Sequence, residues 1–250
     1  MKKLEEYLTD DALIPCCIVS DVDDTITTKG ELHPCALQAM YRLREAGIPL
    51  ILLSGGSSGW CEVYLRQWPV SAVISESGAW LLDKDGKGNI IYRKNSTISD
   101  VDDEKRKKLL EQIDPSLLSS DQYARLSDIA VDLSKAGEAE VRKIEAFAAA
   151  SGASCALSSI HLNIWFGSYS KSSGLRHFFP QLDIGKCAYT GDALNDEEMF
   201  SLFPLSFGVR SVEEKKECFT HLPSYFSPSS GGEGFSEIVS AVLERKNRFS

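Results

Sequence analysis

Long apolar runs and an excess of basic residues are both missing from this sequence. No stretch of its 250 residues approaches the run of about 20 apolar residues that spans a membrane, and Met1–Glu6 lacks the apolar segment of a signal peptide. Lys and Arg number 27 against 36 Asp and Glu, which gives a net charge of −9. We therefore expect a cytoplasmic protein with neither a membrane nor a nucleic acid as partner, although a bound cation still permits a phosphorylated ligand.

Paired cysteine motifs are also missing. The seven cysteines are an odd number, and none belongs to a Cys-x-x-Cys pair. Four of them, Cys16, Cys17, Cys155 and Cys187, lie in or beside apolar stretches, which is typical of reduced cysteines in a cytosolic core. The pattern therefore disfavours a disulfide framework and a zinc site. No internal repeat or additional interface element is visible, so we expect a monomer.

An apolar segment that stops at a group of carboxylates is the most informative feature present. Ile14–Val19 predicts a buried strand, because parallel strands covered on both faces are continuously apolar. Asp21 then falls at the carboxyl end of that strand, where open α/β sheets bind their ligands. Asp21 and Asp23 point to the same side of an extended backbone and repel each other unless a cation such as Mg²⁺ neutralises them. The alternative is a solvated acidic turn.

Strands and helices alternate at both ends of the chain. Ile48–Leu53 predicts a second strand that leads into Ser54–Gly59, a Gly/Ser loop suited to cradling an anion with backbone amides. Ala72–Ser75 predicts a third strand, and the pattern resumes after Lys171 with a strand at Lys186–Thr190. This alternation predicts a parallel sheet with right-handed crossovers.

The middle of the chain follows a different pattern. Ser127–Leu133 and Ser159–Phe166 alternate apolar and polar residues, as strands of an antiparallel sheet with one apolar face do. Two amphipathic helices, over 101–113 and 138–150, accompany them. We therefore predict an α/β fold in which residues 1–82 and 169–250 form a Rossmann-like parallel sheet core and residues 83–168 form an inserted α+β cap domain.

The polar face of the predicted cap sheet carries candidate substrate contacts. Its members are Asp128, Asp132, His161, Asn163 and Trp165. His, Asn and Trp together are an unusual choice for plain solvent exposure, so we expect this face to meet a ligand. The alternative is a face that is simply exposed to solvent, as in most one-sided sheets.

Polar residues suited to phosphoryl transfer follow the predicted strand ends or lie beside them. They are Asp21, Asp23 and Thr25; Ser54; Lys171; and Asp192, Asn195 and Asp196. If these residues converge at one sheet edge, a carboxylate beside a lysine and a cation can attack phosphorus. A second carboxylate two residues away can protonate the leaving oxygen and then activate water. Each feature is weak alone, but the ordered set indicates this chemistry.

The same residues resemble the four motifs of the haloacid dehalogenase superfamily of phosphatases. The matching segments are Asp21–Thr25, the apolar strand that ends at Ser54, Lys171 after the insertion, and Gly191–Asp196. An insertion between the second and third motifs resembles the subclass with a large α/β cap (type IIB). That subclass includes phosphatases of sucrose, trehalose and mannosylglycerate phosphates, and phosphomannomutases.

The resemblance implies a role for each matching residue. Asp21 would be the nucleophile, and Asp23 the general acid and base, with its backbone carbonyl also on the metal. The phosphate-binding residues would be Ser54, Gly55, Lys171 and Asn195, and the residues at a Mg²⁺ cofactor would be Asp21, Asp23, Asp192 and Asp196. The cap residues expected at the substrate are His161, Asn163, Trp165 and Asp128.

Two positions depart from the family pattern. Ser54-Gly55-Gly56 stands where the subclass often has Thr-Gly-Arg, and Asp24 replaces a common Gly. The expected function is Mg²⁺-dependent hydrolysis of a small phosphorylated metabolite, foremost a sugar phosphate, through an aspartyl-phosphate. The alternatives are a phosphomutase that uses the same intermediate and a catalytically idle sugar-phosphate-binding protein.

Overall fold

The computed structural model describes residues 1–249 of the chain. The strands within this range are β1 (Lys2–Lys3), β2 (Cys17–Ser20), β3 (Leu50–Leu53), β4 (Ala72–Ser75), β5 (Trp80–Lys84), β6 (Ile90–Lys94), β7 (Asp128–Asp132), β8 (Ser154–Leu157), β9 (His161–Trp165), β10 (Cys187–Gly191), β11 (Leu205–Gly208) and β12 (Tyr225–Phe226). The α-helices are α1 (Leu4–Tyr7), α2 (Pro34–Glu45), α3 (Ser58–Gln67), α4 (Asp100–Leu110), α5 (Glu138–Ala150), α6 (Lys171–Phe178), α7 (Glu197–Leu202), α8 (Arg210–Glu214) and α9 (Gly231–Phe249).

The larger of the two sheets has nine strands in the order β1-β12-β11-β10-β2-β3-β4-β5-β6. The strands from β1 to β4 in this order pair parallel, and β5 and β6 form an antiparallel hairpin at the edge. Every residue of β2, β3 and β4 is buried, as their continuous apolar character predicts. The predicted α/β fold with a Rossmann-like parallel sheet is therefore confirmed.

Helices cover both faces of the large sheet, and β2 shows how. Ile18 packs in an apolar cluster with Met40 of α2 and Val239 of α9. Val19, the next residue, packs on the opposite face in a cluster with Leu175 of α6 and Phe200 of α7. Because successive strand residues point to opposite faces, even a strand of four residues anchors helices on both sides.

Residues 95–170, which we call the insert, form a smaller layer of their own. Its sheet has the antiparallel order β7-β9-β8. One face carries Ile129 and Leu162 and packs on α4 and α5 through a cluster that includes Leu109 and Ala148. The other face is turned towards the carboxyl edge of the large sheet, where Asn163 donates a hydrogen bond to the carbonyl of Gly55.

Two features of the insert differ from the sequence prediction. We predicted that it begins at residue 83, but β5 and β6 both belong to the large sheet, so the chain leaves that sheet only after Lys94. We did not predict β8, because Ser-Cys-Ala-Leu is short and shows no alternating pattern. Among residues 1–249, no helix combines the length and apolar character needed to cross a membrane.

Candidate active site

Strand pairing brings the first and last acidic motifs together. β2 and β10 are parallel neighbours, with Ser20 opposite Thr190. The backbone N–H of Asp21 donates to the carbonyl of Thr190 at 2.9 Å. Asp21 and Asp192 therefore leave adjacent strands at the same edge, as the sequence analysis predicted from their positions after two apolar strands.

Lys171 joins the two acidic motifs. It is the first residue of α6, and its buried Nζ lies 2.7 Å from Asp21 Oδ1 and 2.6 Å from Asp196 Oδ1. Burial by itself would lower the pKa of Lys171, but the carboxylates of Asp196 and Asp21 outweigh it and raise that pKa above its ordinary value. The side chain therefore remains a cation at the centre of the site.

Close contact between two glycines sets the position of Lys171. Gly174, one turn along α6, lies against Gly78, where a Cβ atom on Gly174 would come within 2.5 Å of the Gly78 Cα. Gly78 itself has a φ of +116°, a conformation that suits glycine. The absence of side chains at both positions lets the start of α6 approach the sheet edge.

Asp196 supports its neighbours through both of its oxygens. Oδ1 accepts from Lys171 Nζ and from the Tyr189 hydroxyl at 2.5 Å, and Oδ2 accepts from the backbone N–H groups of Asp192 and Ala193. The residue is fully buried. With four donors already bound, Asp196 is better suited to holding Lys171 and Asp192 in place than to binding a metal as a primary ligand.

Positive charge only partly compensates the remaining carboxylates. Burial raises the pKa of Asp21 to about 7 despite the opposing effect of Lys171, and it raises the pKa of Asp192 well above its usual range. Burial, followed by the charge of Asp24, raises the pKa of Asp23 to about 6. The environment of Asp21 and Asp192 therefore favours the arrival of a cation, which would favour the charged form of these two residues.

The donor set fits a hard divalent cation. Single oxygens of Asp21 and Asp192, the two carboxylates available to a cation, lie within 4.8 Å of each other and of an oxygen of Asp196, which supports them. Asn195 Oδ1 is buried and has no hydrogen-bond partner among the described residues, so an oxygen acceptor is left unused beside this cluster. Oxygen-only ligands are what Mg²⁺ prefers. The carboxylate of Asp23, predicted as a metal residue through its backbone, lies outside that three-residue group.

A small chamber is enclosed where the insert meets this edge. It measures about 10 Å³ and is lined by Asp21, Asp23, Gly55, Ser158, Ser159, His161, Asn163, Asp192 and Asn195. Ser54, behind this lining, is 1% exposed, and its Oγ accepts from the Gly56 N–H at 2.9 Å while keeping a proton to donate. A space of this size holds about one water molecule, so a phosphoryl group fits only if the insert shifts.

The four predicted cap residues divide into two pairs. His161 and Asn163 line the chamber, as expected. Asp128 instead receives two hydrogen bonds from Arg125 Nη1, at 3.0 and 2.9 Å, and one from Asn163 Nδ2. Trp165 is buried, packs on Tyr169 and donates its indole N–H to the Tyr169 carbonyl. The expectation that Trp165 contacts a ligand is therefore wrong for this arrangement, and Asp128 acts by orienting Asn163.

Sequence reasoning missed two residues that join the insert to the large sheet. The Glu76 carboxylate accepts the backbone N–H groups of Leu126, Ser127 and Asp128, at 2.6 to 3.1 Å. Arg125 donates to the carbonyl of Gly55 at 3.0 Å, so an arginine of the insert contacts the loop in which the resemblance leads us to expect an arginine at position 56. The partners in both contacts lie far apart along the chain, so no local sequence pattern predicts these contacts.

Comparisons with known proteins agree with this geometry. A family model described as haloacid dehalogenase-like hydrolase matches residues 18–147, just over half of the chain. No curated protein matches the chain significantly.

Solved structures share the fold over nearly the whole chain. A protein from Thermoplasma acidophilum superposes with a TM-score of 0.73 at 17% identity, covering 93% of this chain and 99% of its own. A phosphatase of the haloalkanoate (HAD) enzyme superfamily from Bacteroides thetaiotaomicron gives 0.65 at 16% identity, with 94% and 96% covered. A trehalose-6-phosphate phosphatase related protein gives 0.64 at 17% identity, with 94% and 100% covered. At these identities the likeness establishes the fold alone.

Proposed function

The chain belongs to the haloacid dehalogenase-like hydrolases, and from that premise we propose that it is a Mg²⁺-dependent phosphatase of a small phosphorylated metabolite, foremost a sugar phosphate. The observation that carries the proposal is the buried carboxylate of Asp21, held by Lys171 at 2.7 Å beside Asp192. Burying several carboxylates around one lysine is costly, and such groups with raised pKa values are typical of functional sites.

Asp21 is the proposed nucleophile. Lys171 donates a hydrogen bond to Oδ1 of Asp21, which leaves Oδ2 of Asp21 to attack phosphorus. A new bond forms between Oδ2 and phosphorus while the bond from phosphorus to the leaving oxygen breaks, giving an aspartyl-phosphate. Lys171, with the Ser54 hydroxyl and the Gly55 loop, would stabilise charge on the transferred group.

Asp23 is the proposed acid and base. Its pKa, raised to about 6, keeps a useful protonated fraction near neutral pH, so it can give a proton to the leaving oxygen. The resulting carboxylate then takes a proton from water, whose oxygen attacks phosphorus. The bond to Asp21 breaks, phosphate leaves, and both aspartates return to their starting states.

Asp21 and Asp192 would hold the Mg²⁺, with the free Oδ1 of Asn195 beside them. When bound, the ion supplies positive charge that offsets repulsion between the carboxylates and the phosphate. Asp196 and Thr25, whose hydroxyl lies 3.3 Å from Asp192 Oδ1, orient Asp192.

The insert would act as a cap that moves to admit substrate and returns to exclude water. The small size of the chamber supports this, because a phosphoryl group needs more room than the chamber offers. We further propose that the protein works as a cytoplasmic monomer.

The test is phosphate release from a panel of sugar phosphates and from acetyl phosphate, with Mg²⁺ or with excess chelator. We expect release that the chelator abolishes and that added Mg²⁺ restores, with one sugar preferred. Release that is unaffected by chelator, or none from any substrate, would contradict the proposal.

A further inference from the structure

A second, larger cavity opens from the candidate active site. This cleft measures about 490 Å³ and shares Asp23 and His161 with the chamber. Its lining includes Asp23, residues of α3 and residues of the insert, among them Asp132. Its volume is typical of small-molecule sites. Since Asp23 is the proposed donor of a proton to the leaving oxygen, the rest of the leaving group would extend into this cleft.

Three aromatic side chains of α3 and its end form one wall. Trp60, Tyr64 and Trp68 are spaced four residues apart, so they lie on one face of the helix. The rings of Trp60 and Tyr64 are stacked at 6.4 Å, and those of Tyr64 and Trp68 at 4.2 Å. Trp60, at one end of this column, is 53% exposed. A half-exposed indole in a concave site is a surface that a ligand would cover favourably.

Charge in the cleft excludes some leaving groups. The described residues that line it include Asp23, Asp121 and Asp132 but neither Lys nor Arg. Burial, aided by the charge of Arg125, lowers the pKa of His161 to about 4, so this side chain is neutral at pH 7. The lining itself therefore offers a second phosphate carboxylates and no cation of its own, and the nearby Arg125 and Lys135 are already paired with Asp121 and Asp132.

Polar groups around the aromatic wall suit hydroxyls instead. Ser120, Gln67 and His161 line the cleft and offer hydrogen-bond donors and acceptors. The C–H face of a sugar ring can pack against an indole while its hydroxyls reach such groups at the rim. An aromatic wall with neutral and acidic polar groups is complementary to an uncharged polyhydroxylated ring.

We propose that the cleft binds the leaving group of the substrate, that this group is an uncharged sugar ring packed against Trp60, and that Trp60 determines specificity for it. The inference rests on the proposed phosphatase function. It also predicts discrimination against sugar bisphosphates, which a phosphomutase has to bind.

The test compares substrates with and without a group that reaches the cleft. Release of phosphate would be measured for hexose and disaccharide 6-phosphates, for fructose 1,6-bisphosphate, and for acetyl phosphate, whose leaving group is too small to reach Trp60. The variants are Trp60→Ala, the conservative Trp60→Phe, and Tyr123→Ala as the control, since Tyr123 is 90% exposed on the insert.

We expect Trp60→Ala to raise KM for the preferred sugar monophosphate by about three- to tenfold, with kcat/KM for acetyl phosphate unchanged. Trp60→Phe should recover most of the loss, Tyr123→Ala should have no effect, and the bisphosphate should be the poorer substrate. Suppose that the wild type hydrolyses acetyl phosphate with Mg²⁺. If Trp60→Ala then leaves KM for the sugar phosphates unchanged, or lowers kcat/KM equally for all substrates, the proposed role of Trp60 is contradicted. Preference for the bisphosphate would contradict the proposal that the cleft binds an uncharged sugar ring. Absence of wild-type activity on acetyl phosphate would instead contradict the phosphatase function on which this inference rests.

Discussion

Two buried ionic side chains, Glu76 and Arg125, hold the insert against the large sheet. Glu76 has a φ of +48°, unusual for a residue with a side chain, and its carboxylate also accepts from the backbone N–H of Ser58 at 3.1 Å. Arg125 is matched by Asp121 and Asp128 while it reaches the Gly55 carbonyl. A strained backbone at a buried, multiply bonded carboxylate indicates that the local contacts fix this conformation.

Replacing the charge of Glu76 should loosen the insert. In Glu76→Gln, one oxygen becomes an amide NH₂ that cannot accept, whereas the two oxygens of Glu76 accept from the N–H groups of Ser58 and of residues 126–128, so at least one of these donors loses its partner. We expect a loss of about 1–3 kcal/mol in the free energy of unfolding and faster hydrogen exchange at those amides. Urea denaturation and amide exchange measure the two effects.

Glu5→Gln is the matched control, because Glu5 is exposed on α1. It should change neither stability nor exchange. Unchanged protection of both Ser58 and residues 126–128 in Glu76→Gln would show that the Glu76 carboxylate does not hold the insert.

At the scale of elements, the approach of α6 to the segment after β4 places the lysine of the site. Gly174 and Gly78 permit that approach, and Lys171 lies one turn before Gly174. Ser170 caps the helix by accepting from the Ser173 N–H, which fixes where α6 begins. The position of the Lys171 ammonium group therefore depends on packing of backbone against backbone.

Gly174→Ala should displace α6. The added methyl group would lie 2.5 Å from the Gly78 Cα, and backbone atoms cannot yield as a flexible side chain can. We expect a loss of about 1–3 kcal/mol in the free energy of unfolding and a fall in kcat of at least about tenfold as Lys171 moves from Asp21.

Gly86→Ala provides the comparison, because Gly86 lies in the β5–β6 turn with open space around it. It should change stability by less than about 0.5 kcal/mol. Equal changes in the free energy of unfolding and in kcat for Gly174→Ala and Gly86→Ala would mean that the glycine contact does not position Lys171.

Over the whole molecule, strand ends could be predicted from sequence and contacts between layers could not. β2, β3 and β10 are short apolar runs that stop at polar residues, so both their burial and the gathering of Asp21 and Asp192 followed from the pattern. The burial of Trp165 did not follow from the pattern, because alternation shows which face of the sheet a residue occupies and does not show that Tyr169 covers it.

The join between the two layers was also beyond sequence reasoning. Glu76 lies 50 residues from Leu126, which it binds, and Arg125 lies 70 residues from Gly55. Contacts at such separation depend on how the insert returns to the sheet, which no local pattern encodes. The sequence shows that the second motif lacks an arginine, but it does not show that Arg125 of the insert contacts the same loop.

The most direct test of the central claim is to trap the phosphoryl group on Asp21. Enzyme, Mg²⁺ and the preferred sugar phosphate would be quenched within the first turnover with borohydride, which reduces an acyl phosphate to an alcohol, and the peptide that contains residue 21 would be analysed by mass spectrometry. We predict reduction of Asp21 to homoserine when Mg²⁺ is present and unmodified Asp21 when chelator replaces it. Reduction at Asp23 instead, or at no residue while phosphate is released at the full rate, would contradict the assignment of Asp21 as the nucleophile.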